Sequence, residues 1–231
     1  MSRRAGAGTA VRPVVVELFT SQGCSSCPPA DAFMQELRFA RGVLAMSFHI
    51  DYWDYLGWHD TLGDSAYSER QRSYAKSRGD GDVYTPQIVI DGASDVVGSD
   101  KQSVRAGIDR ARAAMPSFSV PLSLSSNGSE FSITAGGVDG GPDSTLWLMA
   151  IAPAIAVKIT RGENAGRDIV YYNVVRRVTP AGMWHGKAIS STLPIDGVMT
   201  ADSKACVALL QSGGIGPVIG AAAWGEINRD V

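Results

Sequence analysis

Cys24 and Cys27 stand two residues apart, between an apolar run and a pair of prolines, and no other feature constrains the chain as much. In Val14–Thr20 the residues Val14, Val15, Val16, Leu18 and Phe19 make a nearly continuous apolar stretch, as in a strand buried on both faces. Glu17 interrupts it. Ser21–Gly23 then turn the chain. Pro28 and Pro29 fit only the first turn of a helix, where a missing N–H costs little. Ala30, Phe33, Met34 and Leu37 follow at helical spacing and give that helix one apolar face. Gly42 closes it, and Val43–Ile50 reads as a second buried strand. Strand, helix and strand at this spacing predict a parallel pair.

A two-residue spacing at the start of a helix brings two sulfurs within bonding range. It also points the unpaired N–H groups and partial positive charge of the helix N-terminus at the outer sulfur. A free thiol titrates near about 8.5, and such a placement lowers that value. The thiolate is the attacking species in disulfide exchange. The expectation is therefore an exposed Cys24 that attacks a substrate disulfide and a deeper Cys27 that resolves the mixed disulfide. Glu17, in the strand before the cysteines, could pass protons to or from Cys27 directly or through water, or could instead be a strand-end glutamate that reaches solvent or pairs with an arginine. Thr85-Pro86 precedes the short strand Gln87–Asp91 and is a candidate for the substrate side of the site.

The remaining text of the chain divides near residue 116. Up to Pro116, Asp64 or Ser65 can cap a helix running to about Lys76, Val96–Val97 can pair with Gln87–Asp91, and Ser99 with Gln102 reads as a capping box. Beyond it, Val120, Leu122 and Leu124 alternate with polar residues, Asn127-Gly128 marks a turn, and Phe131 and Ile133 alternate again. Thr145–Ile151, Ile169–Val178, Cys206–Gln211 and Val218–Trp224 are further strand-like runs. The expected organisation is a tail over residues 1–12, an α/β domain over 13–116 and an all-β sandwich-like domain over 117–231.

The formal charge of −2 over 231 residues offers nucleic acid and anionic membranes no electrostatic purchase. No apolar stretch is long enough to span a bilayer, since Leu146–Val157 is short and contains Pro153. Met1–Arg12 has Arg3, Arg4 and Arg12 but no apolar core of the kind an export signal needs. The chain as written reads as cytoplasmic, or as periplasmic or secreted where a leader has been replaced.

With these residues in view, the N-terminal half resembles the thioredoxin-like superfamily. It is more similar to a bacterial family of two-domain proteins of unknown function, often exported. The matching segments are Val16–Asp31, Asp51–Trp58, Gln71–Tyr74, Val83–Gln87 and Arg161–Arg167. The resemblance implies an α/β thioredoxin-like domain followed by an all-β sandwich-like domain, with Pro86 in the cis form beside the cysteines. Ser25-Ser26 departs from the Gly-Pro of thioredoxin itself.

Asp51–Asp60 places three carboxylates, four large aromatics and His59 within ten residues, with His49 just upstream. Trp53, Tyr55 and Trp58 could roof the cysteines and grip a partner together with Thr85, or pack as a loop over the core. Arg161–Arg167 could bind an anion, dock the two domains or stand as an exposed hairpin tip. Cys206, in an apolar run, reads as a small buried hydrophobe.

Three functions fit. The first is a thiol–disulfide oxidoreductase that needs a redox partner protein or small thiol and no bound cofactor. The second is a metal-binding or metal-delivery protein holding copper or zinc through Cys24, Cys27 and one of His49 or His59. The third is a non-catalytic interaction protein with a structural disulfide.

Overall fold

The computed structural model describes residues 12–115 and 119–227. Strand β1 (Val14–Thr20), helix α1 (Pro28–Leu37) and strand β2 (Val43–His49) form where the apolar spacing places them. Two prolines occupy the first positions of α1, and Ala30, Phe33, Met34 and Leu37 are buried as its inward face, together with Asp31. β1 and β2 are parallel, in register from Val14 opposite Val43 to Thr20 opposite His49. A one-turn 3-10 helix (Asp54–Leu56) and helix α2 (Ser65–Arg78) follow. Asp64 caps α2 by accepting from the Ala66 N–H.

Strands β3 (Gln87–Ile90) and β4 (Ser94–Val97) form the expected antiparallel pair, and β3 also lies antiparallel to β1. Helix α3 (Lys101–Ala114) is capped by Asp100, which accepts from the N–H groups of Gln102 and Ser103. The Ser99–Gln102 box is thus displaced by one residue. A carboxylate is a better acceptor for two N–H groups than a single hydroxyl.

The second half contributes β5 (Leu122–Ser126), β6 (Glu130–Ala135), β7 (Ser144–Lys158), β8 (Asp168–Trp184), β9 (Ile189–Pro194), a single helical turn α4 (Ile195–Val198), β10 (Ala205–Ser212) and β11 (Val218–Gly225). Their pairing overturns the expected α/β thioredoxin-like domain followed by a separate all-β sandwich-like domain. The described structure is mostly β. Eight strands form one mixed sheet in the order β11-β10-β7-β8-β2-β1-β3-β4, and three form a small sheet, β5-β6-β9.

The physical reason lies at β2. Its free edge pairs in parallel with β8 at Ser47 and Val174, so the first half offers no closed sheet edge of its own. One apolar cluster then runs through both halves, joining Phe19 and Phe48 to Met149, Val207, Leu209 and Val218. On the opposite face α1 and α3 cover Val14, Val16, Leu18 and Ile90. The small sheet covers the far end of that sheet, where Phe131 and Ile133 meet Leu146, Leu148, Trp184 and Cys206. Burial pushes the Cys206 thiol up to about 12, which leaves it inert.

The expected boundary at 116/117 and residues 1–11 of the expected tail lie outside the described residues. Arg12 is described, and it is fixed by Asp91 at 2.9 Å. Among the described residues no helix is long and apolar enough to cross a membrane.

Candidate functional site

The cysteines sit where β1 ends and α1 begins, at the carboxyl edge of the parallel pair, where loops over an open sheet place ligand-facing groups. Two turns carry the chain around this corner. The Cys24 N–H donates to the Ser21 carbonyl at 3.2 Å, and the Cys27 N–H donates to the Cys24 carbonyl at 3.2 Å. Cys27 is the N-cap of α1, and its carbonyl accepts from Ala30 and Asp31 at 2.9 and 3.1 Å. Cys24 and Cys27 are joined as a disulfide, with Cα atoms 5.4 Å apart.

Ser25 and Ser26 are the exposed residues of this loop. Cys24, expected at an exposed tip, is only 4% accessible, and Cys27 is wholly buried. Two neighbours account for the difference. Trp53 packs on Gly23, where a Cβ would come within 3.2 Å of the Trp53 Cβ. Asn164 lies across the loop and donates from Nδ2 to the carbonyls of Gln22 and Cys24 at 2.9 and 2.8 Å.

Thr85-Pro86 is a cis peptide, and it lies beside the cysteines. The Ser26 hydroxyl donates to the Thr85 carbonyl at 3.3 Å, and Trp53 Nε1 donates to Thr85 Oγ1 at 2.7 Å. Trp58 Nε1 donates to Gln22 Oε1 at 2.8 Å, so this ring also holds the loop from outside. Tyr55 extends this group to solvent, with its ring 6.1 Å from that of Trp53. The Arg161–Arg167 segment forms the β7–β8 connection. It docks on the cysteine loop through Asn164, and Gly162 packs there so closely that a Cβ would come 3.0 Å from that of Trp58.

Glu17 takes the arginine-paired alternative and is not placed to serve Cys27. Side chains alternate across a strand, and Val16 and Leu18 face α1 while Glu17 faces the other side. There Arg70 donates to both of its oxygens, from Nε at 2.7 Å and from a terminal nitrogen at 2.9 Å. Tyr74 donates to the same carboxylate. Gln211, from β10, accepts from Arg70 at 2.7 Å and donates to the Tyr74 hydroxyl at 2.9 Å. Burial opposes the Arg70 charge, and the adjacent Glu17 outweighs it and holds the guanidinium more basic than usual.

The carboxylate that does face the cysteine side is Asp31, one helical turn beyond Cys27 and 2% accessible. Its Oδ1 accepts from Thr20 Oγ1 at 2.6 Å, and its Oδ2 has no protein partner. Burial pushes it up to about 7, against the opposing pull of the Thr20 hydroxyl and of His49. His49 is opposite Thr20 in the β1–β2 register and so shares that face. Its Nδ1 is 2.9 Å from Asp60 Oδ2, with both side chains fully buried. Burial works against the Asp60 charge, but His49 and the N–H groups of Gln22 and Leu62 hold its carboxyl below the usual range. The Tyr171 ring, from β8, packs edge-on against His49 at 4.5 Å. Burial, with Asp31 and Asp60 nearby, raises its hydroxyl above the usual value.

Asp31 was not singled out from the sequence, and Asp60 and Asn164 entered only as members of the Asp51–Asp60 and Arg161–Arg167 segments. Asp31 had a readable signal: it follows Cys27 at i+4 and interrupts the approach to an otherwise apolar face. The other candidate ligands stand apart. His59 is largely exposed and bound to Asp54, and His49 is engaged with Asp60. Among the described residues no group of three or more His, Cys, Asp and Glu side chains is disposed to hold a metal ion.

Fold and site together define a protein built on one mixed sheet, with a Cys-x-x-Cys disulfide at a helix N-terminus clamped by the hairpin loop of its second half. The chain belongs to the family described as Protein of unknown function (DUF1223), which matches residues 15–211. It is similar to a protein of Agrobacterium tumefaciens of known crystal structure, at 31% identity and a TM-score of 0.78, covering 94% of this chain and 95% of that one. It shares its fold with HBP35 of Porphyromonas gingivalis, at 14% identity and a TM-score of 0.57, covering 94% of this chain and 76% of that one. No curated protein matches it.

Proposed function

We propose that the chain is a thiol–disulfide oxidoreductase, related to the thioredoxin-like superfamily through the segment that carries the cysteine pair. Cys24 is the nucleophile and Cys27 the resolving thiol. Thr85 and Pro86 line the substrate side, and Trp53, Tyr55 and Trp58 meet the partner. That partner is a redox protein or a small thiol, and the exchange requires no bound cofactor.

The observation that carries this reading is the Cys24–Cys27 disulfide at the head of α1 with the Thr85 carbonyl within reach of the same loop. A thiolate formed there is favoured by the helix N-terminus. The exposed Ser25 and Ser26 are the route of approach. The test is equilibration of the pair with glutathione redox buffers and turnover of a disulfide-bonded peptide. We expect exchange in the wild type and a loss of about 1,000-fold or more in Cys24→Ser, because no second thiolate can replace the nucleophile. Full activity in Cys24→Ser, or a pair that excess dithiothreitol leaves oxidised, overturns the proposal.

A further inference from the structure

Beneath the cysteine loop lies a buried polar group whose hydrogen-bonding capacity exceeds what its structural contacts use. Thr20 and His49 supply it from the ends of β1 and β2, Asp31 from α1, Asp60 from the loop before α2, Tyr171 from β8 and Asn164 from the β7–β8 connection. Among the described residues four of its atoms have no protein partner: Asp31 Oδ2, His49 Nε2, Asn164 Oδ1 and the Tyr171 hydroxyl. Buried polar atoms are nearly always paired, and each that is not costs free energy, so a cluster of four calls for an explanation. It lies one helical turn from Cys27, the buried member of the pair.

We propose that Asp31 is the proton acceptor for Cys27, with His49 and Asp60 setting its charge. The inference rests on the oxidoreductase reading and adds a step to it. After Cys24 has attacked a substrate disulfide, the substrate is held as a Cys24 mixed disulfide. The Cys27 thiol gives its proton to the Asp31 carboxylate. The resulting thiolate attacks the Cys24 sulfur, the Cys24–Cys27 bond forms, and the substrate leaves as a thiolate. The substrate disulfide gains two electrons and the cysteine pair loses them. Asp31 then returns the proton to solvent.

Three features fit Asp31 for this step. It follows Cys27 by one turn, with its own N–H bonded to the Cys27 carbonyl. It has one oxygen committed to Thr20 and one unengaged. Burial, opposed by Thr20 and His49 and aided by Asp60, raises it to about 7, and a base for a thiol is most effective near the working pH. The charged and titratable groups facing it are His49 from β2, Asp60 from its loop and Tyr171 from β8, with the Thr20 hydroxyl from β1. Asp60 fixes the His49 ring through Nδ1 and leaves Nε2 without a partner among the described residues. A purely structural role, an acid stabilising the first turn of α1, requires neither the open oxygen nor the histidine.

The test uses the reduced full chain and Ellman's reagent, whose two thionitrobenzoate groups leave in sequence. The first departure reports attack by Cys24 and the second reports attack by Cys27. In Asp31→Asn we expect the first phase within twofold of wild type. The second should slow about 100-fold at pH 7, the usual scale for a lost general base. Its rate should then rise with pH as a lone thiol does. An unchanged second phase overturns the proposal. A second measurement needs no variant: the infrared difference between oxidised and reduced wild-type protein near neutral pH. A protonated carboxyl band that changes with the redox state of the pair, assigned by aspartate isotope labelling, supports the proposal. A band indifferent to redox state overturns it. Absence of any reaction with Ellman's reagent overturns the oxidoreductase reading and the Asp31 step with it, whereas a normal first phase with an unchanged second phase overturns the Asp31 step alone.

Discussion

Glu17 and Asp31 are both buried carboxylates, on opposite faces of the sheet around β1, and they are treated in opposite ways. Glu17 faces a full set of donors: two from Arg70 and one from Tyr74, with Gln211 closing the network from β10. Asp31 has a single donor, Thr20, and an open oxygen beside an open histidine nitrogen. A saturated buried ion pair fixes one arrangement of the chain and resists change. A half-satisfied acid near neutrality can change its charge at small cost. The difference teaches that burial alone does not mark a functional carboxylate; what marks it is how many partners hold each charge state.

The largest effect expected from this contrast is at Glu17. Glu17→Gln leaves the Arg70 guanidinium buried without its counter-charge, a change that costs about 3–5 kcal/mol in comparable sites. Urea unfolding at pH 7 measures it. The second thionitrobenzoate phase should stay within twofold of wild type, because Glu17 faces away from α1. A slowed second phase with intact stability would reverse the roles assigned to the two acids.

Asp31→Asn should do the opposite, and its sign depends on pH. The folded value, about 7, lies above the value of about 3.9 for an unfolded aspartate. The folded state therefore binds more protons between these limits. The contribution of Asp31 to stability is fully present below about pH 4 and is lost as pH rises through 7. Asparagine keeps the Thr20 bond and cannot ionise. It should match wild type near pH 4 and exceed it by roughly 2–4 kcal/mol at pH 8.5. Urea midpoints measured across that range check this, and a pH-independent difference would mean that Asp31 carries no buried charge.

Asn164→Ala sharpens the comparison at the level of the loop. It removes two donors from the carbonyls of Gln22 and Cys24. With both acceptors buried, a loss of about 2 kcal/mol is expected. Reduction of the disulfide by dithiothreitol should be faster, since the clamp covers Cys24. Unchanged access to the disulfide would restrict Asn164 to holding β7 and β8 in place.

What could be read from the chain follows the range of the interactions involved. β1, α1 and β2 are set by neighbouring residues: an apolar run, two prolines and one helical stripe. The cysteine pair and Thr85-Pro86 were legible for the same reason. The union of the halves was not, because it rests on β8 finding the edge of β2, and a pairing between Ser47 and Val174 leaves no local trace. The alternation in Leu122–Leu124 and Phe131–Ile133, which suggests a sandwich, belongs to the small three-stranded sheet that covers only one end of the large one. Glu17 was legible as buried, but its face was not assigned. The alternation of Val16 and Leu18 against Val15 and Phe19 would have separated it from α1 once the helix was placed on one side. Asp31 was hidden because its burial depends on Thr20 and the strands beneath α1, which no neighbouring residue announces.

Thr20→Val gives the smallest change and the finest discrimination. Valine fills the same volume and removes the sole donor to Asp31. When Asp31 is protonated it needs little from Thr20, so near pH 4 stability should fall by no more than about 1 kcal/mol. When Asp31 is ionised, loss of the hydroxyl removes a bond to a charge, and the folded-state titration should move above its wild-type position. The pH at which wild type and variant diverge then locates the ionisation of Asp31 without altering the acid itself. In the double variant with Asp31→Asn this divergence should vanish, because no charge remains to be stabilised. Persistence of the pH dependence in the double variant would mean that Asp31 is not the titrating group and leave it as packing beside Cys27.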